Sequence, residues 1–371
     1  MLLMKDLIML WLTLFLTLAW LSASVMEPVI SIVLTTYNSE RTIHNVLDSI
    51  VKQNFPLNVI ELILVDGGSR DNTLNIVNKF ISENVRRFNN VKLIVHDRNY
   101  GVSKARNDGI KTSRGKYLLI LDHDVIMSSN TLKMLLEYIE SVSKKVVAVI
   151  PLHNNLCSGF LEKWEYKIRR RKITKGNFIT SCALIRRELI NEIGLYDGSL
   201  GLPFTIYEDI EYGARALAKG YEIHVVGTIE VLHDNCDETT TSLHAYSKVK
   251  SYKKFLNTIK SLSDPTYRYS LKKYLCSSPI WEKLRWIAYS ALTASFIPIV
   301  VVSTLLELKT FILAWMLFAI VMYLDVLRQY WNSSIPSVSF AYSTIAFTWR
   351  LARSTMLLIP GPRTINRSRI K

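Results

Sequence analysis

The chain has 371 residues, of which 49% are hydrophobic and 21% charged, and it carries a formal net charge of +15. This length suits one large domain or two ordinary ones, and the apolar share is typical of a globular protein. No two of the four cysteines lie at a CxxC spacing. This excludes a zinc or redox motif of that kind and predicts free thiols in a reducing compartment.

Apolar segments lie near both ends of the chain. Residues 7–25 carry no charge and are long enough to cross a bilayer, so residues 1–28 are predicted to be a transmembrane anchor. A cleaved signal peptide is the alternative, because the small residues of "LSASV" would suit cleavage. Residues 286–306 and 310–327 are predicted to be two further spans, joined as a hairpin.

Basic residues flank these apolar segments and predict an orientation. They are Lys283, Arg285, Arg328, Arg363, Arg367, Arg369 and Lys371. The positive-inside rule then predicts a multi-pass protein of the cell membrane, with residues 29–278 as a cytoplasmic catalytic domain. Residues 340–359 contain two arginines and are predicted to lie in the interface, followed by a basic tail within the C-terminal region 279–371. The positive net charge is therefore interpreted as favouring membrane lipids, and not nucleic acid, as partners.

Between these segments, apolar strands alternate with amphipathic helices. In chain order the segments are "ISIVLTTYN" (strand), "RTIHNVLDSIVKQ" (helix), "VIELILVDGG" (strand), "LNIVNKFISENV" (helix), "VKLIVHD" (strand), "GVSKARNDGI" (helix) and "YLLILDHD" (strand). This alternation predicts an α/β domain with a mainly parallel central sheet flanked by helices. Ligands of such sheets bind beyond the carboxyl ends of the strands.

Three polar clusters follow the predicted strands directly, at residues 36–38, 66–71 and 122–124. We therefore expect them to meet at one edge of the sheet. The chain has neither a P-loop nor a GxGxxG signature, so a phosphorylated ligand would need a metal ion. Asp122 and Asp124, one residue apart, suit Mg²⁺ or Mn²⁺, which take carboxylates together with ligand phosphates. A solvated turn is the alternative interpretation of this pair, and His123 is interpreted as a spacer.

Seven segments in order resemble a family 2 glycosyltransferase with the GT-A nucleotide-diphospho-sugar transferase fold. They are "IVLTTYNSE", "LVDGGSRDNT", "NYGVSKARNDGI", "LDHD", "GNFITSCALIRRELINEIGLYD", "YEDIEYGARALAKGYEI" and "VLHD". The resemblance spans about residues 29–235 and implies a nucleotide-binding half, residues 29–125, and an acceptor half, residues 126–278. It also implies a UDP- or GDP-sugar donor and a divalent cation, Mn²⁺ or Mg²⁺.

The resemblance implies the following roles, each with a structural alternative such as a turn, an ion pair or a surface acid. The nucleotide site would use Thr36, Tyr37, Asn38, Glu40, Asp66, Lys104, Arg106 and Asp122. The metal would be held by Asp124, with Asp122 and His233 as further ligands. Asp209 would be the general base beside Glu208, and the absence of a second nucleophilic carboxylate implies inversion at the anomeric carbon.

The acceptor side is marked by an aromatic and basic segment, "EKWEYKIRRRKITK". Trp164, Arg169, Arg170 and Arg171 are interpreted as a collar for anionic lipid and a lipid-linked diphosphate, with a solvated loop as the alternative. Residues 282–286, "EKLRW", are superficially similar to the QxxRW motif of processive members but are interpreted as an interfacial anchor. Transfer of one or a few sugars is therefore expected.

The leading hypothesis is an inverting, metal-dependent glycosyltransferase that acts on a hydroxyl of a lipid-linked or membrane glycan. A polyprenyl-phosphate sugar synthase is the nearest rival, but its acceptor phosphate is already ionised and needs no base. A non-catalytic module that binds a nucleotide sugar or lipid is a further alternative. The intact Asp122–Asp124 and Glu208–Asp209 pairs argue against it.

Overall fold

The structure is a computed structural model. It describes residues 27–158, 160–176, 178, 181–200, 208–236, 274–305, 309–331 and 336–358. The predicted anchor over residues 1–28 and the predicted basic tail lie almost wholly outside the described residues.

Nine strands and ten α-helices are formed by the described residues. The strands are β1 (Ile30–Thr36), β2 (Ile60–Asp66), β3 (Asn90–Val95), β4 (Tyr117–Asp122), β5 (Val125–Met127), β6 (Val146–Asn155), β7 (Ile173–Lys175), β8 (Cys182–Arg186) and β9 (Glu222–His233). The helices are α1 (Ile43–Val51), α2 (Thr73–Asn84), α3 (Val102–Thr112), α4 (Thr131–Ser141), α5 (Phe160–Arg169), α6 (Arg187–Ile193), α7 (Glu208–Ala218), α8 (Ile280–Leu305), α9 (Lys309–Tyr330) and α10 (Pro336–Leu358).

All nine strands belong to one sheet, in the order β3-β2-β1-β4-β8-β6-β9-β5, with β7 paired to β9. The first four strands of this order are parallel, as the alternation of strands and helices predicts. The second half is mixed: β8 is antiparallel to β4 and β6, and β9 is parallel to β6 but antiparallel to β5 and β7. The predicted mainly parallel sheet is therefore only half right. Apolar periodicity reports the burial of a strand and not the direction of its partner.

The central strands are buried on both faces because helices cover both. Every residue of β1 and of β2 is buried. Alternating side chains of these strands enter two separate apolar clusters, one containing Ile32 and Leu62 and the other containing Val33 and Ile63. Since both faces are covered, the polar side chains of the central strands can reach solvent only at the strand ends.

The three C-terminal helices pack against one another and against the sheet domain. Tyr289, Leu292, Met322 and Val326 form their common core. Tyr342 of α10 donates a hydrogen bond to Glu165 of α5 at 2.8 Å. Within the "EKLRW" segment, Glu282 accepts hydrogen bonds from Arg285 and Trp286.

The predicted multi-pass membrane topology is not supported by these helices. Nowhere in the described ranges does a helix combine the length and the apolar character needed to cross a bilayer. The predicted spans fall on α8 and α9, which share a small buried core but leave other apolar side chains, such as Leu313 and Leu317, exposed. Polar pairs lie among them: Arg285 Nε is 3.0 Å from Asp325 Oδ2, and Arg350 donates to Gln329 at 2.6 Å.

Two of the four cysteines form a disulfide, contrary to the prediction of free thiols. Cys157 follows β6 and Cys236 follows β9, and their sulfur atoms are bonded across a separation of 79 residues. Cys182 is a buried free thiol and Cys276 an exposed one. Spacing along the sequence could not reveal the pair, because β6 and β9 become neighbours only through the parallel pairing of these strands.

Candidate active site

The loop after β1 is joined to the loop after β2 by reciprocal hydrogen bonds. Asn38 adopts a left-handed conformation, with φ of 45°, and its Oδ1 accepts a hydrogen bond from the Arg70 backbone N–H at 2.9 Å. Glu40 likewise accepts from the Asn72 N–H at 2.8 Å, while its own N–H donates to Asp71. Thr36 is buried and hydrogen-bonded to Ser39, and Tyr37 is exposed beside them. The predicted nucleotide residues at the end of β1 and in the loop after it therefore lie together, beyond the carboxyl end of this strand.

Asp66 ends β2 and is fully buried. Its carboxylate accepts hydrogen bonds from the Gly68 N–H at 3.0 Å and from the Ser69 N–H at 2.8 Å, and a further one from the Ser69 hydroxyl. Gly68 has φ of +86°, and a Cβ there would lie 2.9 Å from Arg98 Cα, so only glycine fits. In this structure Asp66 holds its own loop in shape.

Arg106 of α3 connects two carboxylates that the sequence separates widely. Its side chain is only 3% exposed. One guanidinium nitrogen lies 3.0 and 3.2 Å from the two oxygens of Asp122, at the end of β4. The other terminal nitrogen lies 3.3 Å from Glu208 Oε1, at the start of α7. Lys104, on the same helix, has different surroundings: its side chain is half-exposed and pairs with Asp108.

Asp209 follows Glu208 in the first turn of α7. Its Oδ1 accepts a hydrogen bond from the Ile210 N–H at 2.7 Å. Burial, followed by the negative charge of Glu208, raises the pKa of Asp209 to about 7, although the charge of Arg106 acts in the opposite direction. A carboxylate with a pKa near neutrality is suited to accept a proton under physiological conditions.

Asp124 lies in the two-residue turn between β4 and β5, beside the end of β9. Its Oδ2 is 3.1 Å from His233 Nε2, and the other ring nitrogen of His233 is 2.9 Å from Asn155 Oδ1. Burial alone would raise the pKa of Asp124, but the hydrogen bond and charge of His233, with the charge of His123, hold it below its usual value. The carboxylate is therefore ionised at neutral pH.

The Asp124–His233 pair fits the ligand chemistry of a divalent cation. Asp124 Oδ1 is buried and finds no hydrogen-bond partner among the described residues, which leaves one oxygen for a ligand. Across the part of the chain that the structure describes, no three His, Cys, Asp or Glu side chains gather as a metal cluster. A cation bound here would therefore complete its shell with oxygens of the substrate, as Mg²⁺ commonly does.

The predicted acceptor collar is engaged in internal contacts. Arg169 pairs with Glu165 at 3.0 Å, and Arg170 pairs with Glu230 at 3.0 Å. Arg171 adopts a left-handed conformation, with φ of 60°, and its N–H donates to the Gly227 carbonyl. Trp164 lies on α5, on the same segment. Two of the three positive charges are thus neutralised within the protein, and a role in lipid binding stays a prediction.

Several residues of the site carried no signal in the sequence. Asn155 orients His233 from the adjacent strand, where the two residues are paired in register. Arg41, after β1, donates to Asp234 Oδ2 at 2.9 Å and to the Cys236 carbonyl at 2.9 Å. Together with the disulfide of Cys236, this pair fixes the segment after β9. Asn155 and His233 meet through the pairing of β6 with β9, and Arg41 reaches Asp234 across 193 positions of the chain, so no spacing along the sequence could have indicated these contacts.

The family "Glycosyl transferase family 2" matches residues 31–194 of the chain. Among curated proteins, the Poly(ribitol-phosphate) beta-N-acetylglucosaminyltransferase TarS of Staphylococcus aureus is 34% identical over 273 residues, which is 71% of this chain but 40% of that protein. The Poly(ribitol-phosphate) beta-glucosyltransferase of Bacillus spizizenii is 40% identical over 104 residues, 28% of this chain and 16% of that protein. The chain thus spans less than half the length of these relatives.

Solved structures give weaker likenesses. The mannosyltransferase PcManGT from Pyrobaculum calidifontis, in complex with GDP-Man and Mn²⁺, is 16% identical, with a TM-score of 0.49 and coverage of 91% of this chain and 94% of that one. Staphylococcus aureus TarS in complex with UDP is 20% identical, with a TM-score of 0.48 and coverage of 68% and 81%. The family match over residues 31–194 and the similarity to these transferases support a glycosyltransferase of family 2.

Proposed function

We propose that this protein transfers a sugar from a nucleotide-diphosphate sugar to a hydroxyl acceptor, with inversion at the anomeric carbon and with the help of a divalent cation. The observation that carries the proposal is the position of Arg106. It contacts Asp122 of the strand-end carboxylate pair and also Glu208, the neighbour of Asp209. This contact supports a donor site at Asp122 that lies close to the proposed proton acceptor Asp209.

The proposed chemistry needs few protein groups. Asp209 takes the proton of the acceptor hydroxyl while the hydroxyl oxygen attacks the anomeric carbon and the bond to the diphosphate oxygen breaks. Asp124 and His233 would hold the cation, and a bound cation supplies charge neutralisation for the leaving diphosphate. Asp122, fixed by Arg106, is proposed to contact the donor. Since no carboxylate acts as a nucleophile, a single displacement inverts the anomeric centre.

The acceptor is proposed to be a hydroxyl of a glycan or polyol polymer. Two similar proteins are named for transfer to poly(ribitol-phosphate), whose repeating units carry hydroxyl groups. A lipid-linked glycan is the narrower form of this proposal. A phosphate acceptor would attack without a base, so the raised pKa of Asp209 supports a hydroxyl acceptor.

The test is a panel of UDP- and GDP-sugars incubated with Mn²⁺ and with glycan, polyol-phosphate or polyprenyl-phosphate acceptors. Released nucleoside diphosphate is measured with and without EDTA, and the anomeric configuration of the product is determined by NMR. We expect release that depends on metal and acceptor, with inverted configuration. If none of the donors in the panel released nucleoside diphosphate, the proposal would be contradicted. Transfer to polyprenyl phosphate alone would replace the hydroxyl acceptor by a phosphate.

A further inference from the structure

Arg106 is buried between the two halves of the candidate active site. Asp122 belongs to β4, at the donor side, whereas Glu208 begins α7, which carries the proposed base. The residues are separated by 16 and 102 positions from Arg106 along the chain. The carboxylates of Asp122 and Glu208 are both within ion-pairing distance of the same guanidinium group. This single side chain therefore bridges the nucleotide-binding half and the acceptor half.

The position of the guanidinium is held by a second set of contacts. Asn107, the next residue, exchanges two hydrogen bonds of 2.9 Å with the backbone of Tyr196. The Tyr196 ring lies 5.7 Å from the Arg106 guanidinium carbon. It also stacks on the ring of Tyr212 of α7, with centroids 4.2 Å apart. Helix α3 is thus connected to α7 through Tyr196 as well as through the ion pair.

The carboxyl groups around Arg106 outnumber its single positive charge. Asp122, Glu208 and Asp209 place three carboxyl groups near one guanidinium group, with the buried Tyr196 hydroxyl among them. Glu208 Oε2 and Arg106 Nε are buried and have no hydrogen-bond partner among the described residues. An ion pair buried in this way is costly to break, because removing one charge leaves the other unpaired.

We infer that Arg106 is a positioning residue for the transfer reaction. It fixes the start of α7 against the donor carboxylate Asp122 and so sets the place of Asp209. This inference rests on the proposed function, since Asp209 is the proposed base. Among the described residues, the charged and titratable groups near Asp209 are Glu208 on its own helix, Arg106 on α3, Asp122 on β4 and Tyr196.

The inference predicts opposite effects for two uncharged replacements. Arg106→Met removes a positive charge near Asp209, so the pH at half-maximal kcat should rise by about one unit. Glu208→Gln removes a negative charge, so the same midpoint should fall. Arg106→Met should also lower the plateau value of kcat by at least about tenfold, since a displaced base loses its alignment. Arg106→Lys keeps the charge, so its pH midpoint should lie close to that of the wild type, while its plateau kcat should stay lower.

The matched control is Lys111→Met, which removes an exposed positive charge from the last turn of the same helix. It should leave both the midpoint and kcat unchanged. Thermal unfolding of each variant shows whether it is folded. Midpoints for Arg106→Met and Glu208→Gln that move in the same direction, or no more than in Lys111→Met, would overturn the inference.

A second measurement needs no turnover and separates this inference from the proposed function. Hydrogen–deuterium exchange of a peptide over residues 208–218 reports how firmly the start of α7 is held. We expect faster exchange there in Arg106→Met and Arg106→Lys than in the wild type or Lys111→Met. Unchanged exchange would refute the positioning role. If the wild type transfers no sugar but the exchange changes as expected, the proposed function fails while the structural link stands.

Discussion

Replacing Asp209 by asparagine removes the proposed proton acceptor and changes little else. Asparagine keeps the shape of the side chain and the oxygen that accepts the Ile210 N–H. General-base assistance is typically worth about 10²–10⁴-fold in rate, which corresponds to about 3–5 kcal/mol of activation free energy. We expect a loss of this size in kcat, with little change in the donor KM, because the interaction is made in the chemical step.

The pH dependence follows from the same carboxyl group. Because the pKa of Asp209 is raised to about 7, the wild type should lose kcat as the pH falls below neutrality and reach a plateau above it. The asparagine variant has no such proton to bind, so its residual rate should lack this acid limb. Steady-state release of nucleoside diphosphate between pH 5 and about pH 9 measures both profiles.

Stability should change in the opposite sense to activity. The pKa of Asp209 is raised from its ordinary value of 3.8 to about 7 in the folded protein, so ionising Asp209 destabilises the folded protein as the pH rises between these two values. Three pKa units correspond to at most about 4 kcal/mol, and less for a group that retains some solvent contact. Asp209→Asn should therefore unfold at a higher temperature than the wild type at pH 8, but not at pH 3.

The control is Asp48→Asn, the same substitution at a half-exposed residue of α1 that pairs with Lys52. It should leave kcat, its pH profile and the unfolding temperature near those of the wild type. Full activity of Asp209→Asn on a hydroxyl acceptor would refute the mechanism. A raised donor KM with an unchanged kcat would instead assign Asp209 to donor binding.

Three further outcomes are expected. Asp124→Ala should abolish the metal-dependent part of nucleotide binding in calorimetry while the protein stays folded, and equal wild-type affinity with and without EDTA would argue against a cation at this position. Asp122→Asn should raise the donor KM, because its charge is proposed to serve the donor; a change in kcat alone would contradict that role. Replacing Cys157 and Cys236 by serine opens a loop of 79 residues and should lower the free energy of unfolding by about 4 kcal/mol in urea titrations, an effect that a reductant should reproduce in the wild type only.

The sequence by itself determined the order of strands and helices and the edge of the sheet that carries the polar residues. Both follow from local rules. A strand buried on two faces is apolar throughout, and it becomes polar only where the sheet ends, as at Asp66 and Asp122. The Glu208–Asp209 pair was identified differently, from the resemblance of its segment to the catalytic helix of family 2 glycosyltransferases. These features depend on neighbours along the chain, so they can be read without the fold.

Only the tertiary structure decided which side chains meet. Arg106 was predicted to lie near the nucleotide, and packing places it between Asp122 and Glu208, because α3 and α7 cover the same face of the sheet. The partner of His233 on β6, the disulfide of Cys157 and the antiparallel strands likewise depend on pairings between distant segments. The apolar C-terminal helices show the same limit. Composition gives the amount of apolar surface, but only packing shows which part of it is covered: Tyr289, Leu292, Met322 and Val326 are buried between the helices, whereas Leu313 and Leu317 are exposed.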